Sequence, residues 1–314
     1  MVLVTLVGEQ PIPNLIPLWQ DDQRQYNTVQ FVASETTKNQ AKMLAEIIKS
    51  DPDLNHLNVL EPVLVDAYDI GKARMSLIKT VSLLEQQGQE IIFNLTGGTK
   101  IMSFAALRTS IEQKIPMLYV STELGQIIYM GNDGSETRRD NIKINIGVHQ
   151  YLSAHGLEVG SNLAFRPIIG EKPYSPPKEG DWLEELVERK SRESGYFDDV
   201  QRNVFIRKQT LSGFSVNELD VVVTLNGQLS VCSCKTSANL EKDEIYELAA
   251  LSRRESAGIY CGKVLVSSMN EMPPSMIERA RSMGVNLVCG NEVNHIALHI
   301  RNTLQRQPDK KLKK

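Results

Sequence analysis

An α/β protein built from two unlike domains is predicted, and three observations predict it. The first half alternates short apolar runs with amphipathic helical stretches, the pattern of a parallel sheet covered on both faces. After about residue 147 that rhythm stops, and a different order begins beyond a stretch rich in Pro, Gly and charge. The chain of 314 residues also exceeds the roughly 250–300 residues at which a single core stops growing.

The strands of the first domain, residues 1–147, are read from apolar runs at 1–7, 29–33, 59–65, 91–95 and 115–120. Each is short and rich in β-branched residues, as expected of strands buried on both faces. Between them, 37–49 places Ala41, Leu44, Ala45 and Ile48 on one helical face. The stretch 71–87 does the same with Ala73, Leu77, Val81 and Leu84, and 99–113 with Met102, Ala105, Ala106 and Ile111. Such alternation implies a Rossmann-like three-layer domain, whose ligands bind outside the carboxyl ends of the strands. Residues 148–180, which end in Glu-Lys-Pro-Tyr-Ser-Pro-Pro-Lys-Glu-Gly, read as a linker. The second domain, 181–305, opens with a helix to about 194 and strands at 200–207, 218–225 and 229–234. A helix at 240–254, a strand at 263–267, a helix at 274–283, a strand at 285–289 and a helix at 291–304 complete it. Residues 306–314 hold five cations and one Asp and read as a solvated basic tail.

Composition excludes several classes. Hydrophobic residues make up 41% of the chain and charged residues 23%, which rules out wholesale disorder. No apolar run approaches the roughly 18 residues of a membrane span. The opening MVLVTLVGEQ lacks the basic start of a signal peptide, so no membrane partner is expected. Residues 1–150 carry 13 Lys and Arg against 17 Asp and Glu, and residues 151–314 carry 22 against 21. Neither half is a basic sponge, so a polyanion must be met by local groups. The four cysteines lie in the second half without a C-x-x-C pair, which fits a reducing, cytoplasmic setting. Cys232 and Cys234 alternate with Ser233 and Lys235 and read as small core residues; Trp19 and Trp182 read as packing anchors.

Two constellations carry chemistry. The first is Asn94-Leu95-Thr96-Gly97-Gly98-Thr99-Lys100, directly after a strand and opening a helix. Paired glycines let the backbone turn tightly, the helix start contributes partial positive charge, and Thr96, Thr99 and Lys100 contribute donors. This is an anion or phosphate cradle. It matches neither the Walker A spacing nor G-x-G-x-x-G, which argues against ATP hydrolysis and a dinucleotide cofactor. Two further polar loops follow the first two strands: 8–14, with Gly8, Gln10, Pro13 and Asn14, and 34–39, with Ser34, Thr36, Thr37 and Asn39. Taken singly each is a cap; three converging on one rim point to a nucleotide-like ligand.

The second constellation is Asn217-Glu218-Leu219-Asp220-Val221-Val222-Val223, a turn, then Leu229-Ser230-Val231-Cys232-Ser233-Cys234-Lys235. Strand residues two apart share a face, so Glu218 and Asp220 point together, as do Ser233 and Lys235. Hairpin pairing brings the two faces side by side. Carboxylates beside a lysine suit metal-assisted phosphodiester hydrolysis. Upstream, Glu184 and Glu188 lie four apart on one helix, where Glu185 and Glu188 read as solvated surface.

On these residues, NLTGGTKIM at 94–102, GEQPIPNLIP at 8–17 and the NELDVV and CKT segments within 217–236, the chain resembles the CARF-domain nucleases of type III CRISPR systems. The resemblance covers nearly the whole chain. It implies a cyclic-oligoadenylate sensor fused to a restriction-endonuclease-like domain of the PD-(D/E)xK class. It further implies a homodimer that binds one cyclic tetra-adenylate across its two-fold axis, with phosphates near the 94–100 and 34–39 loops. The nuclease domains would then admit single-stranded RNA or DNA, or nick duplex DNA, with Mn²⁺ or Mg²⁺. The matching catalytic positions are Asp220, Lys235, Glu184 and Ser233; the metal ligands would be Asp220, Glu184 and Glu218. One departure stands out. Where the family pattern has an acid two residues before the lysine, this chain has Ser233. Glu184 or Glu218 then supplies the missing carboxylate. Alternatively, the domain is a weakened or inactive module that binds nucleic acid or a partner, or the sensor domain itself degrades the activator.

Overall fold

Apolar runs flanked by polar loops give the N-terminal unit its sheet. The computed structural model describes residues 1–160, 180–210, 213–237, 240–252 and 257–304. It divides into two units, 1–144 and 145–314. In the first, β1 (Val2–Leu6), β2 (Thr28–Ala33), β5 (Ile91–Asn94) and β6 (Met117–Ser121) form the parallel centre, in the order β2-β1-β5-β6. The run expected as one strand at 59–65 is two, β3 (Asn58–Val59) and β4 (Val63–Leu64), both paired with β2. Pro62 lies between them and cannot donate to the ladder. An antiparallel extension, β7 (Gln126–Met130) and β8 (Glu136–Asn141), completes the other edge.

The expected helices appear as α2 (Lys38–Ser50), α3 (Ile70–Gln86) and α4 (Lys100–Gln113). A further helix, α1 (Ile12–Trp19), starts inside the stretch expected as a loop, so Pro13 and Asn14 are helical. One core joins Val2, Val4, Leu6 and Phe93 of the sheet to Leu77 and Val81 of α3 and Met102 and Ala105 of α4. On the opposite face Asn14 of α1 donates to Thr5 of β1. The result is the predicted three-layer arrangement, with all polar strand-end loops at the carboxyl edge.

The second unit begins earlier than expected. Part of the predicted linker, 148–160, is ordered as α5 (Val148–Ala154) and β9 (Glu158–Gly160), and β9 pairs with β10. The remainder, 161–179, lies outside the described residues, as does the tail at 306–314. Next come α6 (Asp181–Glu193), β10 (Asp199–Thr210), β11 (Gly213–Leu225), β12 (Gln228–Lys235) and α7 (Lys242–Leu251). They are followed by β13 (Gly262–Ser267), α8 (Pro274–Ser282), β14 (Asn286–Val288), a 3-10 turn (Gly290–His295) and α9 (Ile296–Leu304). The sheet order is β14-β13-β12-β11-β10-β9, parallel from β14 to β12 and antiparallel beyond. Its core joins Leu183 and Val187 of α6 to Val221, Val223, Cys232 and Val264 of the sheet and Ile296 and Ile300 of α9.

Candidate functional site

In the N-terminal unit the turns after β1 and β5 lie back to back. A Cβ on Gly97 would sit 1.9 Å from the Leu6 carbonyl oxygen, and one on Gly8 would sit 2.9 Å from the Gly98 nitrogen. Gly98 itself has φ +74°, a conformation that side chains disfavour. The glycines therefore let two neighbouring strand exits touch. Asn94, fully buried, ties them together. Its Nδ2 donates to the Pro13 carbonyl at 2.9 Å, and its Oδ1 accepts from Thr96 N at 3.1 Å and Thr96 Oγ1 at 2.6 Å. Thr96 Oγ1 in turn accepts from Val120 N at 2.7 Å. Thr99 caps α4 by accepting from Met102 N at 3.2 Å, and its hydroxyl donates to the Ala67 carbonyl at 2.7 Å.

The other two loops behave alike. Asn14 Nδ2 donates to Thr5 Oγ1 at 2.7 Å and to the Leu6 carbonyl at 2.8 Å. Ser34 Oγ lies 2.8 Å from Thr36 Oγ1 and 3.1 Å from Thr37 Oγ1, and Ser34 N donates to Thr37 Oγ1 at 3.0 Å. Of the residues expected at the cradle, Pro13, Asn14, Ser34 and Asn94 are thus buried; the Asn94–Pro13 bond ties two loops together, Asn14 braces its own strand, and Ser34 closes its own loop. Thr36, Asn39 and Lys100 are exposed, while Gly8, Gln10, Thr37, Thr96, Gly97, Gly98 and Thr99 are partly so. Beside the turn lies a cavity of about 490 Å³ whose walls include Thr96, Gly98, Lys100, Phe104, Tyr119 and Met130. A helix start, a lysine and backbone N–H groups at one rim can receive an anion.

In the C-terminal unit the key feature is where two strands part. The β11–β12 ladder runs from Leu225↔Gln228 to Val221↔Cys232 and ends there. Asp220 is the next residue, and its Oδ2 accepts from Cys234 N at 2.7 Å and Ser233 Oγ at 3.2 Å. A side-chain carboxylate thus continues the cross-strand bonding after the backbone has stopped doing so. Beyond this point β12 stays with β13, through Ser233↔Leu265 and Lys235↔Ser267. Lys235 Nζ reaches Glu247 Oε2 of α7 at 4.0 Å.

Glu184 approaches the same place from α6. Burial, then the charges of Asp220, Asp181 and Glu218, push its pKa up to about 7, with Arg202 opposing. The partly buried Cys234 thiol senses the same cluster. Burial raises it most, followed by Cys232, Asp220 and Glu184, and Lys235 lowers it. The structure therefore brings Asp220, Ser233, Glu184 and Glu218 into one electrostatic neighbourhood. Among the described residues no group of three His, Cys, Asp or Glu side chains is arranged to hold a metal ion. The donors are nonetheless hard carboxylate oxygens under mutual repulsion, the chemistry that suits Mg²⁺ or Mn²⁺.

Sequence reading missed three residues here. Asp181 could have been found, since it lies three residues before Glu184 on one helix face. Glu247 gives no local signal. Arg202 pairs with Glu185 at 3.3 Å and Glu188 at 3.2 Å; Glu185 is exposed as expected, whereas Glu188 is largely covered and joins α6 to β10. Cys232 lies in the core and Cys234 packs on it, as expected. Trp19 donates to Asp51 Oδ2 at 3.0 Å, but Trp182 is 51% exposed and anchors nothing by burial.

Comparison with known proteins identifies the two domains. The Card1 CARF domain family matches residues 2–151, and the family "Card1-like, endonuclease domain" matches residues 177–307. No curated protein matches the sequence significantly. Among solved structures, protein VC1899 from Vibrio cholerae superposes with a TM-score of 0.81 at 16% identity, over 96% of this chain and 98% of that one. Can2 from Sulfobacillus thermosulfidooxidans, solved in complex with cyclic tetra-adenylate, superposes with a TM-score of 0.76 at 20% identity, over 95% and 98%. A type III CRISPR defence DNA nuclease activated by cyclic oligoadenylate gives 0.57 at 14% identity, over 88% of this chain and 47% of that one. At these identities the structural likenesses speak for the fold, and the two domain matches for descent. The chain belongs to the Card1 family, a CARF domain followed by a Card1-like endonuclease domain.

Proposed function

We propose that the protein is a cyclic tetra-adenylate-activated, metal-dependent nuclease that cleaves single-stranded RNA or DNA in type III CRISPR defence in the cytoplasm. One observation carries the reading: Asp220 stands where β11 and β12 part, near Glu184, whose pKa burial and then the neighbouring carboxylates push up to about 7. Asp220, Glu184 and Glu218 are the residues that would hold the cation. Bound there, a divalent ion would supply charge neutralisation at the scissile phosphate and a lowered pKa for attacking water. Lys235 places a positive charge beside the phosphate, and Glu247 steadies it. Ser233 occupies the family's acid position and orients Asp220 by donating to it.

The sensor end supports the same reading. Lys100, Thr36, Asn39 and Gln10 would meet the ligand's phosphates, with Gly8, Thr37, Thr96, Gly97, Gly98 and Thr99 shaping the rim. Pro13, Asn14, Ser34 and Asn94 fix the loops from behind. Met75 and Leu83 on α3 and Phe104 and Ile111 on α4 are exposed apolar residues at helical spacing, as a homodimer interface requires. The test is incubation of the full chain with labelled single-stranded RNA and DNA, with Mn²⁺ or Mg²⁺, with and without cyclic tetra-adenylate. Cleavage that needs both metal and activator is expected; no cleavage under any combination overturns the enzyme. Ser233 in place of an acid favours a second reading, a weakened site on a ligand-responsive binding module. Ser233→Glu separates the two, since a gain from zero marks a decayed site.

A further inference from the structure

The strands that carry the candidate acids extend past them as an arm. β10 and β11 remain paired out to Lys208↔Ser215, Gln209↔Phe214 and Thr210↔Gly213, whereas the β11–β12 ladder stops at Val221. Phe214, Val216, Glu218 and Asp220 occupy alternate positions of β11 and so share a face. On that face Phe214 is 58% exposed and Val216 43%. Arg207, opposite Val216, lays its guanidinium 4.7 Å from the centre of the Phe214 ring. Its Nε donates to Glu158 Oε2 at 2.9 Å, which fixes the guanidinium against the ring. An exposed aromatic plate with a stacked cation therefore lies about 20 Å along one strand face from Asp220, six residues at the usual strand rise.

We propose that this arm is a platform for single-stranded nucleic acid: a base of the substrate stacks on Phe214 while Arg207 draws the adjoining backbone. The proposal rests on the nuclease reading and adds to it the place where the strand is gripped. Stacking on a lone ring needs an unpaired base, because duplex bases cover each other's faces, and it tolerates any sequence. Arginine over an aromatic is suited to both base and phosphate. A protein partner would want a broader apolar patch, but on this face one ring and one valine give way to the acids Glu218 and Asp220. The test uses the full chain with Phe214→Ala and Phe214→Trp, with cyclic tetra-adenylate present throughout. Binding of labelled single-stranded RNA and DNA is measured by anisotropy in chelator, and cleavage kinetics are measured with Mn²⁺. Phe214→Ala is expected to raise Kd and KM roughly tenfold with kcat and melting temperature retained, and Phe214→Trp to restore both. Unchanged Kd and KM in Phe214→Ala, while the parent protein still binds and cleaves, overturns the arm and leaves the nuclease intact. A parent protein that neither binds nor cleaves single strands overturns both. Dissociation of the oligomer in Phe214→Ala overturns the arm in favour of self-association.

Discussion

Asp220 does two jobs that substitution can separate. Its Oδ2 satisfies the Cys234 N–H at 2.7 Å and its charge serves the proposed chemistry. Asp220→Asn keeps an acceptor and removes the charge, so cleavage should fall to background while the melting temperature stays. Asp220→Ala removes both and should also lower stability by about 1–3 kcal/mol, the cost of an unmade bond; paired cleavage and denaturation measurements check this. Glu184 makes a prediction in pH. Its folded pKa, about 7, lies above the ordinary 4.5, so the folded state binds more protons than the unfolded one between these values. Its contribution is present in full below about pH 4.5 and is lost as pH rises through about 7. Without metal, Glu184→Gln should therefore melt higher than the parent at about pH 8 and match it at about pH 4. Mn²⁺ should raise the parent's melting temperature more than the variant's, because the cation relieves a repulsion the variant no longer has. Equal responses would remove Glu184 from the proposed ligands.

At the scale of elements, α6 delivers Glu184 and is itself held by charge. Arg202 of β10 pairs with Glu185 and Glu188, Glu188 pairs with Arg192 at 3.1 Å, and Arg192 donates to the Val200 carbonyl. Arg202→Met should cost about 1 kcal/mol, in keeping with partly exposed pairs, and should reduce cleavage by more than that loss implies, since Glu184 is then loosely placed. Melting and kcat/KM measured together decide it. The parallel strands were legible as short continuous apolar runs, buried on both faces, and α2 to α4 from apolar residues repeating along one helical face, although Ile111, expected on that face of α4, is exposed. α1 was not, since Pro11 and Pro13 read as a loop although proline suits a helix's first turn. β8 was hidden for the opposite reason: Glu-Thr-Arg-Arg-Asp-Asn has no apolar alternation, and its strand exists only by pairing with β7. The acid pair at 218 and 220 could be read from strand alternation, but Glu247 near Lys235 could not, as contact between distant segments leaves no local trace. The loops were legible as polar strand ends, but the direction of their side chains was not. Asn14 and Asn94 turn inward because buried backbone groups at touching turns need partners.

For the whole molecule, the proposed activation requires that binding of a small ring at the CARF domain change what the endonuclease domain can do. A ligand with rotational symmetry is best shared by two copies of one rim, because each copy then meets an identical half and the closed pair has no open end. The outward faces of α3 and α4 are the pairing face we propose. Met75 and Leu83 are each 60% exposed, Phe104 is 56% and Ile111 is 42%, and the two helices pack side by side. Phe104 also lines the cavity beside Lys100 and Gly98, so the apolar face and the anion rim are continuous. A charge placed there should break both functions at once. Phe104→Glu is expected to shift the protein from dimer to monomer in light scattering, to weaken cyclic tetra-adenylate binding in calorimetry, and to abolish activated cleavage. Its melting temperature should hold, since Phe104 leaves water only on association. If Phe104→Glu stays dimeric and still responds to the activator, the pairing face lies elsewhere on the sensor domain; if the parent is itself a monomer that the ligand fully activates, symmetry plays no part in switching.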